Sequence, residues 1–300
     1  MWKCGKANKD DFTALASLCG PCFDEGAGFT GPFLNYALWR GGEIFCVRRE
    51  GAIVSMAASL PFSISIPSPD GGTGLLPARY LYALCTEPKW RGHGFAHAVV
   101  EKVVRKAAED GCVAVALQPE NAALADRYLR QGFVQCAARK ECEVTAERLK
   151  ATGTAALEVR RCFFEKYAEL REKALRGSVH AVFPPIHLAL AKHFFADNGS
   201  TDVLAYDDRA GFFKIGDSLA ATEITSYRLT IHELIAQDGE RDAALAALAR
   251  HLDMQKSDVR LRGPDAGEGT ELSPLMALWL DAETESRLGG AIPHMPFTLE

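Results

Sequence analysis

The chain has no apolar run approaching the roughly 20 residues that a membrane-spanning helix needs. Its first residues, Met1 to Lys6, lead into Asp10-Asp11 without the apolar core of a secretory leader. A basic stripe is missing too: 34 Lys+Arg stand against 39 Asp+Glu, a net charge of −5. These absences argue against membrane and nucleic-acid partners and lead us to expect a soluble, cytoplasmic protein. A disulfide framework is not expected either. The nine cysteines are odd in number, several lie in apolar runs such as Ile44-Phe45-Cys46-Val47, and 300 residues can bury a core without crosslinks.

What is present reads as globular. Hydrophobic residues make up 48% and charged residues 24%, and the length allows one large domain or two ordinary ones. The charge is uneven. Residues 1–150 carry 18 Lys+Arg against 16 Asp+Glu, a net +2, whereas residues 151–300 carry 16 against 23, a net −7. An acidic second half can draw in a small cation.

Hydrophobic periodicity gives the order of elements. Asp10-Asp11 precede a short amphipathic helix through Phe12, Leu15 and Leu18, and a second helix covers Pro32 to Trp39. Strands follow at Glu43 to Arg49, Ala52 to Ile66 and Arg79 to Thr86, then a helix over Gly94 to Glu109 stopped by Gly111. A buried strand at Cys112 to Leu117, a helix over Asn121 to Gln131 and a strand from Phe133 to Val144 end this half. A polar linker over Ala146 to Ala155 comes next. The same order then recurs: helices at Phe163 to Leu175 and His187 to Phe195, strands at Asp202 to Tyr206, Gly211 to Thr225 and Arg228 to Ile235, a helix at Gly239 to Leu252, and strands at Asp258 to Arg262 and Leu275 to Asp281. We read an internal duplication with two domains, residues 1–150 and 151–300.

The strongest local motif is Arg91-Gly92-His93-Gly94-Phe95-Ala96, at the junction between a strand and a helix. Glycines there let the backbone approach an anion, the unpaired N–H groups of the helix start point outward, and Lys89 and Arg91 add positive charge. At a matching distance downstream stand Asn121, Tyr128, Gly132 and Phe133.

With the lead-in Leu84-Cys85-Thr86-x-Pro88, these residues make the stretch from about 3 to 145 resemble the GNAT N-acetyltransferase superfamily. The resemblance implies an α/β (α+β) fold of two GNAT-like domains, each a mixed, mostly antiparallel sheet flanked by helices. It also implies acetyl-CoA as cosubstrate: Leu84, Cys85, Thr86 and Asn121 would hold the pantetheine arm and residues 91–96 the pyrophosphate. Tyr128 would be the general acid for the leaving thiolate. The acceptor would be a primary amine of a small, cationic molecule or peptide, attacking the acetyl carbonyl directly. A base must take the amine's proton, and Glu87 at the strand exit is one candidate, the terminal Glu300 another. A homodimer is compatible with this reading. The alternative is a non-catalytic acyl-CoA-binding sensor.

The second half departs from the pattern. Its equivalent junction, Glu233 to Arg241, has one glycine and puts Glu233, Asp238 and Glu240 where a pyrophosphate would lie, and Gly263 to Gly269 replaces the tyrosine-bearing helix with a loop. A degenerate domain that shapes the acceptor pocket, with those acids facing a cation, is expected. Three other features are read as structural. Cys19-Gly20-Pro21-Cys22 follows a helix rather than opening one and lacks a second Cys-x-x-Cys, so it is taken as a Gly-Pro turn rather than a redox or zinc motif. His93 and His97 lack a third metal ligand, so no metal is expected. The charges from Lys150 to Arg176 are taken to coat a solvated helix face.

Overall fold

The computed structural model describes residues 1–23, 27–68, 72–145, 149, 157–196, 209–224, 228–237, 239–254, 258–263 and 269–296. The first half comprises β1 (Trp2–Lys6), α1 (Phe12–Phe23), α2 (Ala27–Trp39), β2 (Glu43–Arg49), β3 (Ala52–Pro67), β4 (Thr73–Thr86), α3 (Phe95–Glu109), β5 (Ala114–Leu117), α4 (Ala122–Leu129), β6 (Val134–Ala137) and β7 (Lys140–Glu143). The second comprises β8 (Val159–Cys162), α5 (Phe164–Ala174), β9 (His180–Val182), α6 (Pro185–Ala196), β10 (Gly211–Ile215), β11 (Ser218–Ile224), β12 (Arg228–Ile235), α7 (Arg241–His251), β13 (Asp258–Gly263), β14 (Thr270–Glu271), β15 (Leu275–Trp279) and α8 (Ala282–Leu288).

Two mixed, mostly antiparallel sheets result, flanked by helices as the α/β reading requires. The first runs β1-β2-β3-β4-β5-β15-β6, with β9 added to the end of β3, and the second runs β14-β7-β13-β12-β11-β10-β8. In each, one parallel pair interrupts the antiparallel order: β4 with β5, and β12 with β13.

The halves exchange strands. β15 from the end of the chain lies between β5 and β6, pairing Met276 with Leu117, and β7 from the first half pairs with β13 of the second sheet, Leu261 opposite Cys142. Sheet membership therefore crosses the expected boundary at 150. The single strand expected over Phe133 to Val144 is two strands in different sheets. Between them the chain turns at Ala138-Arg139, where the buried Arg139 donates to Gln118 and its carbonyl accepts from Leu272 N–H.

Period-two patterning builds the first sheet's two faces. Ile44, Cys46, Met56 and Ala58 pack with Leu15, Leu18, Phe33 and Leu34 of α1 and α2, while Phe45, Val47, Val54 and Ala57 pack with Val99, Val100 and Val103 of α3. The first of these layers continues without a break into the second sheet through Tyr167, Phe212 and Ile231. Across it, Tyr36 of α2 and His187 of α6 approach to 3.4 Å.

Other differences have local causes. Cys19 to Pro21 are helical rather than a turn: Leu15, Leu18 and Cys19 are buried, and that burial carries α1 past Pro21. The single strand expected over Gly211 to Thr225 is, over its described residues 211–224, a hairpin broken at Gly216-Asp217. Strands β1, β8, β9 and β14 lie outside the expected elements. Within Lys150 to Arg176, Arg171 is buried rather than solvated. The expected strand at Asp202 to Tyr206 and most of the linker lie outside the described residues, as do Asp238, Glu300 and the interior of the Gly263 to Gly269 loop.

Candidate active site

The first sheet opens where β4 leaves β5. Their parallel ladder covers only Ala78, Arg79 and Tyr80 opposite Ala114, Val115 and Ala116. Beyond it the register with β3 also shifts, and Ala83 takes a left-handed conformation, φ 52°. A non-glycine residue held there costs of order 1–3 kcal/mol, and such strain clusters at ligand sites. There β4 parts from β5 while Cys85 and Thr86 stay paired with Met56 and Ser55 of β3, so the β5-facing edge of Leu84 to Thr86 has no strand partner among the described residues.

The end of β4 is held from beneath. Ser55 Oγ donates to the Cys85 carbonyl at 2.9 Å and lies 2.8 Å from Thr86 Oγ1, and the Glu87 N–H donates to the Val54 carbonyl. Arg91 Nε reaches back to the Thr86 carbonyl at 3.3 Å. Gly92 and Gly94 have φ of 80° and 79°, conformations that only glycine adopts cheaply. Gly94 is the N-cap of α3 and supplies no side-chain cap, so the first amides of the helix stay available to an anion. The Arg49 guanidinium lies 4.0 Å from the centre of the Trp90 ring and steadies the loop.

Together these elements border an open cleft of about 610 Å³. Leu84, Cys85, Thr86, Arg91, Ala96 and Tyr128 line it. Gly92, His93, Gly94, Phe95 and Asn121 shape its rim without lining it. Phe95 is buried and stacks on His93, while Asn121 Oδ1 accepts from the Leu124 N–H at 3.0 Å as the N-cap of α4. Glu87 is not on the cleft wall, and its carboxylate pairs with Lys89 at 2.8 Å. His93 and His97 diverge, the first to the Arg91 carbonyl and the second to Gln131 and Glu101.

Tyr128 is 7% exposed and packs edge-on against Phe133, ring centres 5.5 Å apart. Burial pushes its phenol up to about 12, with Arg127 opposing weakly, so it is a proton donor throughout the neutral range. On the facing wall stand Pro21, Cys22 and Phe23. The Cys22 thiol sits well below the usual range: the Cys85 thiol donates to it and Arg91 attracts its anion, outweighing burial. Cys85 is pushed up by that same bond and by burial. Sequence reasoning missed Cys22, Glu120, Leu124, Arg127 and Gln131 as cleft residues. Leu124 stands four residues before Tyr128 and Gln131 three after it, a helical spacing present in the sequence, while Arg127 is the neighbour of Tyr128 in the chain.

The second sheet repeats the device. The β12–β13 ladder ends at Ile231 opposite Leu261, and the register between β11 and β12 shifts so that His232 bulges. Here the gap is filled. Glu233, expected to face a cation, is buried: it accepts from Tyr167 Oη at 2.8 Å and Arg171 Nε at 3.0 Å. Arg171 Nη1 donates to the Ala181 carbonyl at 2.7 Å, and His232 pairs with Glu223 at 2.7 Å. Pro293 to Pro296 close over the opening, leaving a cavity of about 40 Å³.

Residues 12–133 match the family model described as "Acetyltransferase (GNAT) family". Among solved structures, the chain is similar to a GCN5-related N-acetyltransferase from Kribbella flavida, at 18% identity over 94% of this chain and 73% of that one, TM-score 0.69. A probable N-acyltransferase from Enterococcus faecalis V583 aligns at 13% identity over 95% and 74%, TM-score 0.71. A tandem GNAT protein from the clavulanic acid biosynthesis pathway aligns at 11% identity over 92% and 98%, TM-score 0.51. No curated protein matches the sequence.

Proposed function

Because residues 12–133 carry a domain of the GNAT acetyltransferase family and the whole chain has the tandem GNAT fold, we propose that this protein is an N-acetyltransferase working in the β4–β5 cleft. The observation that carries the reading is the conjunction of the bulge at Ala83, the uncapped N-terminus of α3 and the buried phenol of Tyr128 around one opening. Acetyl-CoA would supply the acetyl group as an activated thioester. The backbone of Leu84 to Thr86 and the Asn121 NH₂ bind the pantetheine arm, while Arg91 and the amides at the start of α3 bind the pyrophosphate. Tyr128 protonates the departing thiolate.

The acceptor is a primary amine of a small molecule or peptide, and it must shed a proton before it attacks. With Glu87 paired to Lys89 off the cleft, we assign that proton to Glu120, the one carboxylate among the described residues that line the wall. The net −7 of residues 151–300 supports a cationic acceptor, although Glu233 spends its charge on Arg171. No helix among the described residues is long and apolar enough to cross a membrane.

Calorimetry with acetyl-CoA, followed by a CoA-release assay over polyamines, aminoglycosides, amino acids and peptide N-termini, tests the reading. Binding with turnover of at least one amine is expected. Binding without turnover of any acceptor would favour an acyl-CoA sensor, and no binding would sink both.

A further inference from the structure

Three thiols meet at the wall of the first cleft. Cys19 and Cys22 are three residues apart near the end of α1 and so share a helical face, and Cys85 stands on β4 opposite them. Cys19 and Cys85 are buried, while Cys22 is half-buried and open to the cleft. Cys22 Sγ lies 3.9 Å from the carbonyl of Thr86, the residue after Cys85, and Cys22, Cys85 and Arg91 line the same cleft. Acetyl transfer as described uses neither sulfur: Cys85 contributes its backbone, and Cys22 only wall.

We infer that Cys22 and Cys85 form a thiol-modification site for hydroperoxides, joined on oxidation by a disulfide that ties α1 to β4 across the acyl-CoA cleft. The roles follow from the asymmetry of the pair. Cys22 shares the Cys85 proton and the Arg91 field, so it carries the thiolate character that attacks first. Its sulfur attacks one peroxide oxygen, the O–O bond breaks, and Cys22 becomes a sulfenic acid as hydroxide or alkoxide departs and takes up a proton. The Cys85 sulfur then attacks the Cys22 sulfur, the S–O bond breaks, and hydroxide leaves as water with the Cys85 proton. Two thiols lose two electrons, and the peroxide becomes two waters, or water and an alcohol. A second thiol on the same cleft wall captures the sulfenic acid before further oxidation. The new bond fixes Cys22 against the segment whose backbone would hold the pantetheine arm.

The crosslink itself is independent of the acyltransferase reading, and its effect on acetyl-CoA rests on that reading. The test takes the full chain, reduced and then titrated with hydrogen peroxide, and follows it by non-reducing peptide mapping and acetyl-CoA calorimetry. The Cys22–Cys85 crosslink should form ahead of oxidation at the other seven cysteines, acetyl-CoA binding should be lost with it, and a thiol reductant should restore binding. Cys22→Ser should abolish the crosslink and Cys19→Ser should leave it in place. Recovery of Cys22 and Cys85 as separate thiols while others oxidise, or a crosslink from Cys22 to Cys19 instead, overturns the assignment. Crosslinked protein that binds acetyl-CoA as the reduced protein does overturns the blockade. Failure of the reduced protein to bind acetyl-CoA counts against the acyltransferase reading, and the mapping still decides the thiol pair.

Discussion

The gap between β4 and β5 and the gap between β12 and β13 are the same backbone device with opposite contents. In both, a parallel ladder stops after a few pairs and a register shift in the neighbouring antiparallel pair bends one strand away. The first gap ends in a loop with two left-handed glycines and a bare helix start, and it opens onto about 610 Å³. The second holds a buried carboxylate clamped by Arg171 and Tyr167 beneath the Pro293 to Pro296 segment, and keeps about 40 Å³. The difference teaches that backbone geometry alone does not make a ligand site. A few side chains decide whether the opening stays accessible or is filled.

The comparison breaks most completely if the halves are separated. Residues 1–150 expressed alone lack β15, leaving β5 and β6 with unpaired edges where Leu275 to Trp279 should lie. The fragment should show no cooperative unfolding and no acetyl-CoA binding. A folded, binding fragment would prove the exchange dispensable. Next in size is Tyr128→Phe, which keeps the ring against Phe133 and removes the proton donor. We expect kcat to fall by roughly 10²- to 10⁴-fold with acetyl-CoA affinity nearly unchanged. Since burial holds this phenol at about 12, no alkaline decline in the wild type below that pH should trace to Tyr128, and the Phe variant should keep the same alkaline limb.

The second cleft is probed by Arg171→Met, which strands the Glu233 charge in the core. A loss of about 3–5 kcal/mol is expected in urea unfolding, while the folded fraction still binds acetyl-CoA. Unaltered stability would mean that the clamp does not hold the second sheet. Gly94→Val acts on the first cleft alone: a left-handed conformation costs a side chain about 1–2 kcal/mol, with β-branching adding to it, so the loop should relax away. Acetyl-CoA affinity should fall while far-ultraviolet circular dichroism is retained. Unchanged affinity in calorimetry would remove the loop from the site. The smallest effect is salt: if the acidic half selects a cation, KM for a polyamine should rise with ionic strength over a Debye length of ~8–10 Å, and KM for an amine without further charge should not. Equal trends for both would leave charge without a part in selection.

Much of this was readable beforehand where chemistry is local. The 91–96 loop, the α3 periodicity and the stop at Gly111 each depend on neighbours in sequence, and Leu84 to Thr86 and Tyr128 lie on one cleft wall. Strand exchange was not readable, because Lys140 to Glu143 and Leu275 to Trp279 read as strands without naming their partners, which only the packed layers select. The break at Ala138-Arg139 hides inside one β-rich run. At Pro21 the rule that proline ends a helix lost to the burial of Leu18 and Cys19, and with it went the position of Cys22. The burial of Glu233 was not legible because its partners, Tyr167 and Arg171, lie one helix and three strands earlier in the chain.

The reciprocal strands also set a timetable. Leu117 cannot meet Met276 until nearly the whole chain has been synthesised, so the first sheet waits, with β5 and β6 apart, through translation of everything between. Such long-range pairing folds slowly and exposes edges meanwhile. A nascent chain therefore cannot acquire a finished first cleft ahead of its second half, and a message cut short before the codon for Leu275 leaves the first sheet without its β15 strand. Completion of the product is checked by the architecture itself.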